Sequence, residues 1–278
     1  MLSLMAPAKL NLFLHINARR PDGYHELQTC FQLLDYGDQL DIELNENGSI
    51  TLESSLADIA NADNLVRRAA TLLQAESGCS LGATVRLSKK LPLGAGLGGG
   101  SSDAATTLLA LNKLWGCRLS QSELAALGLR LGADVPVFIH GRSGWAEGLG
   151  DILQPLELPE RWYLVITPAC EVSTAEIFSH RQLTRNTAPI TIPAFPFSGT
   201  RNDCEAVAVA LYPEIGAALN WLGRYAPARM TGTGSSIFAD FPDRAAAESV
   251  LNELPDTMRG FVAKGINSSP VLQALKEI

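Results

Sequence analysis

The chain of 278 residues is nearly twice the length of an average domain, so two modest domains are expected. Hydrophobic residues make up 46% and charged residues 18%, enough apolar side chain to exclude a disordered chain. With 22 Lys and Arg against 29 Asp and Glu the net charge is −7, which speaks against nucleic acid or an anionic membrane as main partner but leaves a phosphate held by backbone amides possible.

In the opening segment MLSLMAPAKLNLFLHI, Lys9 and Asn11 interrupt the apolar run and no small-residue cleavage site follows, so no signal peptide is expected. No stretch approaches the ~18 uninterrupted apolar residues of a membrane span. The five cysteines (Cys30, Cys79, Cys117, Cys170 and Cys204) never form a C-x-x-C pair, which argues against a disulfide framework or zinc site. A soluble, cytoplasmic protein is the expectation.

Leu10, Leu12, Leu14 and Ile16 fall on one face of a strand, with Lys9, Asn11, Phe13 and His15 on the other. The turn dipeptide Asp22-Gly23 puts Tyr24 and His25 at a loop tip or strand start. Asp38 to Leu44 and Ala83 to Lys89 also alternate as strands. Between them, Asp63 is expected to cap a helix carrying Leu65, Val66, Ala69, Leu72 and Leu73, which Gly78 ends. A glycine-rich segment, Pro92 to Asp103, leads into a helix from Ala104 to Trp115. Ser120 and Glu123 have capping-box spacing for a helix to about Leu131. Asp134, just ahead of Val135-Pro136, belongs at a helix N-terminus.

The change of domain is expected near Leu153-Gln154-Pro155, with Trp162 to Thr167 as first strand of the new unit. The Pro-rich segment Asn186 to Gly199 reads as a surface loop. Helices follow at Asp203 to Leu211 and Glu214 to Arg224, with Pro213 between. The remainder gives a strand at Arg229-Met230, a second glycine turn, a strand at Ile237 to Phe241, a helix at Arg244 to Leu254, a strand at Gly260 to Ala263 and a last helix. The pattern predicts an α+β protein of two domains, residues 1–154 and 155–278, each of two layers.

Most chemistry is carried by Pro92-Leu93-Gly94-Ala95-Gly96-Leu97-Gly98-Gly99-Gly100-Ser101-Ser102-Asp103. Glycines permit φ > 0 and let a ligand touch the main chain, and a helix start adds free N–H groups and partial positive charge, the arrangement that binds phosphate. Gly94-x-Gly96-x-x-Gly99 matches the dinucleotide pattern, yet the acid due ~20 residues on is replaced by Leu119-Ser120, a helix start. A P-loop needs G-K-[ST], and no lysine lies between Leu91 and Asn112. A protein-kinase loop needs HRD and DFG partners, which are absent from the sequence.

The segment instead resembles the nucleotide loop of the GHMP small-molecule kinases. Ala8-Lys9-Leu10-Asn11-Leu12 is similar to that family's first motif, and Met230-Thr231-Gly232-Thr233-Gly234-Ser235-Ser236 to its third. Pro7 to Leu12, Arg20 to Leu27, Gly132 to Phe138 and Asn202 to Glu205 look most like the branch acting on a cytidine-diphosphate-linked methylerythritol in the non-mevalonate isoprenoid route.

The resemblance implies a two-domain GHMP fold with its active site in the interdomain cleft, ATP and Mg²⁺ as cofactors, and a small-molecule acceptor. It implies that Pro92 to Ser102 bind the nucleotide, with Asn64, Leu65 and Lys89 as weaker adenine candidates and Ser101 or Ser102 as a candidate hydroxyl for the metal, whose ligands the sequence does not name. Asp134 read alone is either a helix cap or a proton acceptor, and Lys9 either snorkels to water or faces the site. The resemblance makes both catalytic, and makes Asn11, Tyr24, His25, Phe31, Thr174 and Phe178 contacts to the substrate. Asp151, where the family pattern has Glu, is expected to lie far from the chemistry. His15, His140 and His180 lack metal-ligand spacing and read as structural.

Overall fold

The computed structural model describes residues 1–54, 63–192, 195 and 197–278. Two long strands, β1 (Leu2–Arg19) and β2 (His25–Asn45), run antiparallel from Leu2 opposite Ile42 to Arg19 opposite His25. β3 (Ile50–Ser54) lies parallel to β4 (Gly82–Ser88), and β4 lies antiparallel to β2. β5 (Gly144–Glu147) pairs with β2 and with β6 (Ile152–Pro155). The second half supplies β7 (Trp162–Pro168), β8 (Arg229–Met230), β9 (Ile237–Phe241) and β10 (Met258–Ile266). The strand order β3-β4-β2-β10-β7-β9-β8 joins the halves where Gly265 and Ile266 of β10 pair with Leu34 and Leu33 of β2.

Helices cover the sheet in two groups. α1 (Leu65–Ser77), α2 (Gly99–Leu114), α3 (Gln121–Leu129) and α4 (Val135–His140) pack their apolar residues on the first half, around Leu73, Leu108, Leu111 and Val137. α5 (Thr174–Ser179), α6 (Glu205–Leu211), α7 (Pro213–Leu222) and α8 (Arg244–Leu251) do so on the second, around Ile177, Val207, Ile215 and Ala247. α9 (Pro270–Ala274) returns to the first core through Val271. The architecture is α+β in two parts. Among the described residues, no helix is long and apolar enough to cross a membrane.

β1 threads three apolar clusters: Leu4 and Ala6 in the first, Leu10 and Leu12 in a central one with Tyr163 and Phe238, and Leu14 and Ile16 in the second half's core. Residues 1–154 and 155–278 are proposed as the two domains, with Leu14 and Ile16 of the first part reaching into the core of the second. Register shifts at Pro7/Lys9, Asn11/Leu14 and Ile16/Ala18 break the expected alternation, because each extra residue flips the faces. Phe13 thus joins Leu10 and Leu12 in the central core rather than sharing a face with Lys9 and Asn11.

Other expectations shift by a few residues for local reasons. Asn64, not Asp63, caps α1, its Oδ1 accepting the Val66 N–H at 2.8 Å. Ser120 and Glu123 do form the capping box, and α3 ends at Leu129. Pro213 is the first residue of α7 rather than a spacer, as suits a residue without an N–H. Asp203 precedes α6, where its buried carboxylate accepts the Ile16 N–H at 2.8 Å and the Thr187 hydroxyl at 2.7 Å. The Pro-rich segment has no helix or strand among its described residues, and residues 193, 194 and 196 lie outside them. It is not purely surface: Phe197 is fully buried against Phe13, with ring centroids 5.7 Å apart.

Burial pushes the imidazoles of His15, His25 and His140 below their ordinary value of 6.5. Below that value the unfolded chain takes up protons that the folded chain refuses, so this contribution is complete above 6.5 and lost as pH falls through the lowered folded values. The urea midpoint should therefore drop between about pH 7.5 and about pH 5, and His15→Gln should flatten that drop. An unchanged acid slope in the variant would contradict the assignment.

Candidate active site

A cleft of about 630 Å³ opens between the two halves. Its floor is β1, through Lys9 and Asn11. One wall is the glycine loop with the start of α1, and the other carries Thr174, Phe178, Gly232 and Thr233.

The glycine loop owes its path to left-handed residues at Gly94, Gly96 and Gly98, with φ of 60°, 76° and 71°. At Gly96 there is also no room for a side chain, since a Cβ would lie 2.3 Å from the Thr231 carbonyl oxygen. α2 begins at Gly99, inside the glycine run and five residues earlier than expected. Its first α-helical bond runs from the Ser102 N–H to the Gly98 carbonyl at 2.8 Å. The N–H groups of Gly99, Gly100 and Ser101 therefore precede that ladder, and all three residues line the cleft.

The loop's carbonyls are taken. Ala95 O accepts from Ser236 N–H at 3.1 Å, Gly96 O from the Thr231 hydroxyl at 3.2 Å, and Leu97 O from Lys9 N–H at 3.0 Å. The rim is thus built to offer donors, the requirement for an anion site. The second glycine turn supplies two of these bonds and is held in turn by Asn202, whose Nδ2 donates to Met230 O at 2.9 Å and Gly232 O at 2.8 Å.

Lys9 is 3% exposed. Its ammonium meets Asn11 Oδ1 at 2.5 Å, Gly96 O at 3.1 Å and Asp134 Oδ2 at 3.3 Å, one acceptor for each proton. Asp134 sits at the N-cap of α4 as expected, but its side chain makes no capping bond and stays 37% exposed to the cleft. Asn11 is fixed from behind by Thr29, whose hydroxyl accepts from Nδ2 at 3.0 Å.

Beside the loop lies a buried cluster whose Lys89, an adenine candidate in the sequence, and Asp103 reach the cleft lining, and whose pairing spacing alone does not reveal. Lys89 bonds Asp38 and, at 2.8 Å, Asp103. Asp38 also accepts the N–H groups of Lys90 at 2.6 Å and Leu91 at 2.8 Å, which pins the chain entering the loop. Burial pushes the Asp103 carboxyl up to about 7 against the pull of Lys89. Burial lowers and the two carboxylates raise Lys89, which ends above its ordinary value.

Of the other residues singled out in sequence, Phe31, Thr174 and Phe178 line the cleft, as do Asn64, Leu65 and all of Pro92 to Ser101. Ser102 lies just inside, its buried hydroxyl without a hydrogen-bond partner. His25 is stacked on Phe178 at 5.1 Å between centroids, behind the wall, and Tyr24 is 61% exposed and outside the lining. Leu149 and Gly150 line the cleft, so their neighbour Asp151 is closer to the site than its sequence suggested; its Oδ1 accepts the Leu149 N–H at 2.9 Å. Leu14 and Leu27 also line it, with no signal in the sequence beyond their apolar character.

Residues 64–142 match the GHMP kinases N terminal domain and residues 196–260 the GHMP kinases C terminal domain. A protein named 4-diphosphocytidyl-2-C-methyl-D-erythritol kinase from Hahella chejuensis is 55% identical, over 99% of this chain and 97% of its own length. One of the same name from Pseudomonas syringae pv. syringae is 54% identical over 99% and 98%. A crystal structure of 4-(cytidine 5'-diphospho)-2C-methyl-D-erythritol kinase superposes with a TM-score of 0.82 at 32% identity, covering 95% of this chain and 99% of that one. A mevalonate kinase shares the fold, with a TM-score of 0.69 at 15% identity.

Gly96→Ala combines a strained φ with a backbone collision, and should destabilise the protein by about 2 kcal/mol. Urea unfolding checks this. A loss no larger than that of Gly116→Ala, where φ is 68° but the space is open, would show that the approach to Thr231 is not tight.

Proposed function

The chain belongs to the GHMP kinase family, in its 4-diphosphocytidyl-2-C-methyl-D-erythritol kinase branch, and from that premise we propose that it transfers the γ-phosphate of ATP to the 2-hydroxyl of 4-diphosphocytidyl-2-C-methyl-D-erythritol, giving the 2-phosphate and ADP. The observation that carries the mechanism is the 3.3 Å pair of Lys9 and Asp134 at the floor of a cleft rimmed by the glycine loop.

In this reading Pro92 to Ser102 hold the triphosphate, through the N–H groups at the start of α2. Asp134 orients the acceptor hydroxyl and takes its proton late, as suits a weak base facing a loose transition state. Lys9 keeps that carboxylate aimed and offers positive charge to the transferring group. Asn11 contacts the acceptor beside them. Residues 1–154 chiefly bind ATP and residues 155–278 chiefly complete the acceptor site, with Thr174 and Phe178 on that wall. Phe178 and Phe31 offer aromatic faces to the cytosine and its linker, with His25 behind and Tyr24 closing from the exposed loop.

Mg²⁺ fits the residues present only as a companion of the nucleotide. Among the described residues, no group of three or more His, Cys, Asp or Glu is placed to hold an ion. The unpartnered Ser102 hydroxyl and the cleft-lining Ser101 are the candidate protein ligands. When bound with ATP the ion neutralises charge on the β- and γ-phosphates. A cytoplasmic reaction on a small molecule completes the proposal.

ADP release with the cytidylylated methylerythritol, set against homoserine and mevalonate, tests the substrate. Faster turnover of either competitor would refute the assignment. Asp134→Asn should lower kcat by about 10²- to 10⁴-fold while leaving the KM for ATP within about twofold. Equal losses in rate and ATP affinity would remove Asp134 from the proton path. Tyr24→Ala should raise the KM for the cytidylylated acceptor more than that for ATP, and an unchanged value would take Tyr24 out of the pocket.

A further inference from the structure

Arg185 does not line the cleft, yet it holds two groups that shape one wall of it. Its Nε donates to His25 Nε2 at 3.1 Å. Its Nη2 donates to the carbonyls of Phe178 at 2.7 Å and His180 at 2.9 Å, and its Nη1 to that of Leu183 at 3.2 Å. The guanidinium therefore ties the chain at the end of α5 to His25, the first residue of β2, which lies 160 positions before Arg185 in sequence. Between these two anchors the His25 and Phe178 rings stack, 26° from parallel, and Phe178 faces the cleft.

A guanidinium can only donate. His25 Nε2 must then accept, and the proton of the neutral ring resides on Nδ1. Burial, followed by the charges of Arg185 and of Arg19 across the β1–β2 ladder, lowers the affinity of this imidazole for a second proton, which keeps it in that form.

We propose that Arg185 is a positioning residue for acceptor recognition: it fixes the tautomer and orientation of His25 and, through the stack and the Phe178 carbonyl, sets the aromatic wall against which the acceptor's base lies. This rests on the reading of the acceptor as a cytidine diphosphate derivative. Four donor contacts from one planar fork are what a lysine cannot reproduce.

Arg185→Gln should raise the KM for the cytidylylated methylerythritol about tenfold, leaving kcat at saturation and the KM for ATP within about twofold. Arg185→Lys, with one donor group in place of the fork, should fall on the same side. Imidazole ¹⁵N shifts of His25 should show a protonated Nδ1 and a bare Nε2 in the unsubstituted protein, and a tautomer mixture in both variants. Parallel rises in both KM values, or an unchanged tautomer in the variants, would overturn the proposal. Absence of turnover by the unsubstituted protein would remove the assigned substrate, and the imidazole shifts would still decide whether Arg185 sets His25.

Discussion

An ammonium group withdrawn from water must be surrounded by acceptors or it destabilises the fold by several kcal/mol. Lys9 meets that demand with three acceptors from three stretches of chain: its own strand at Asn11, the glycine loop at Gly96 and the start of α4 at Asp134. None of the three can move far without leaving one proton of a buried ammonium without its acceptor. The same charge that equips the cleft for phosphoryl transfer also holds its parts in register.

The glycine loop shows how backbone polarity is sorted. Its carbonyls are consumed by β1 and the second glycine turn, while the N–H groups at the start of α2 stay at the cleft. That sorting requires the contact at Gly96 and Thr231, which only a residue without a side chain allows. It also requires an anchored approach, and Asp38 provides it by binding two successive amides and the Lys89 ammonium. Binding and packing are here one set of hydrogen bonds.

The glycine run, the capped helices and the order of elements were legible because they rest on local rules of caps, turns and periodicity. Phe13 departs from the face its alternation predicts because a register shift is set by the partner strand and leaves no mark in the sequence. β3 and the β5–β6 hairpin are not legible, because strands of four or five residues carry too little pattern. α2 starts earlier than its pattern suggests because glycine has low propensity inside a helix, and here the loop's tertiary bonds override that propensity. Lys9 and Asp134 were paired through family resemblance alone, since nothing local links residues so far apart. Arg185 gave no signal, and Lys89, marked only by family position, gave none of its pairing with Asp38 and Asp103, because such partners are chosen by the fold.

β1 and β2 are shared beams, paired from end to end of β1 apart from three register shifts and reaching the cores of both halves. A swing of one half against the other would have to rupture that ladder, where each hydrogen bond lost inside the protein is costly. The glycine loop is held as firmly, through Lys9, Thr231 and Ser236, which leaves the exposed stretch around Tyr24 as the part of the rim free to move on the nanosecond-to-microsecond scale of loops. In kinetic terms, the scaffold stands still and the gate is at the edge.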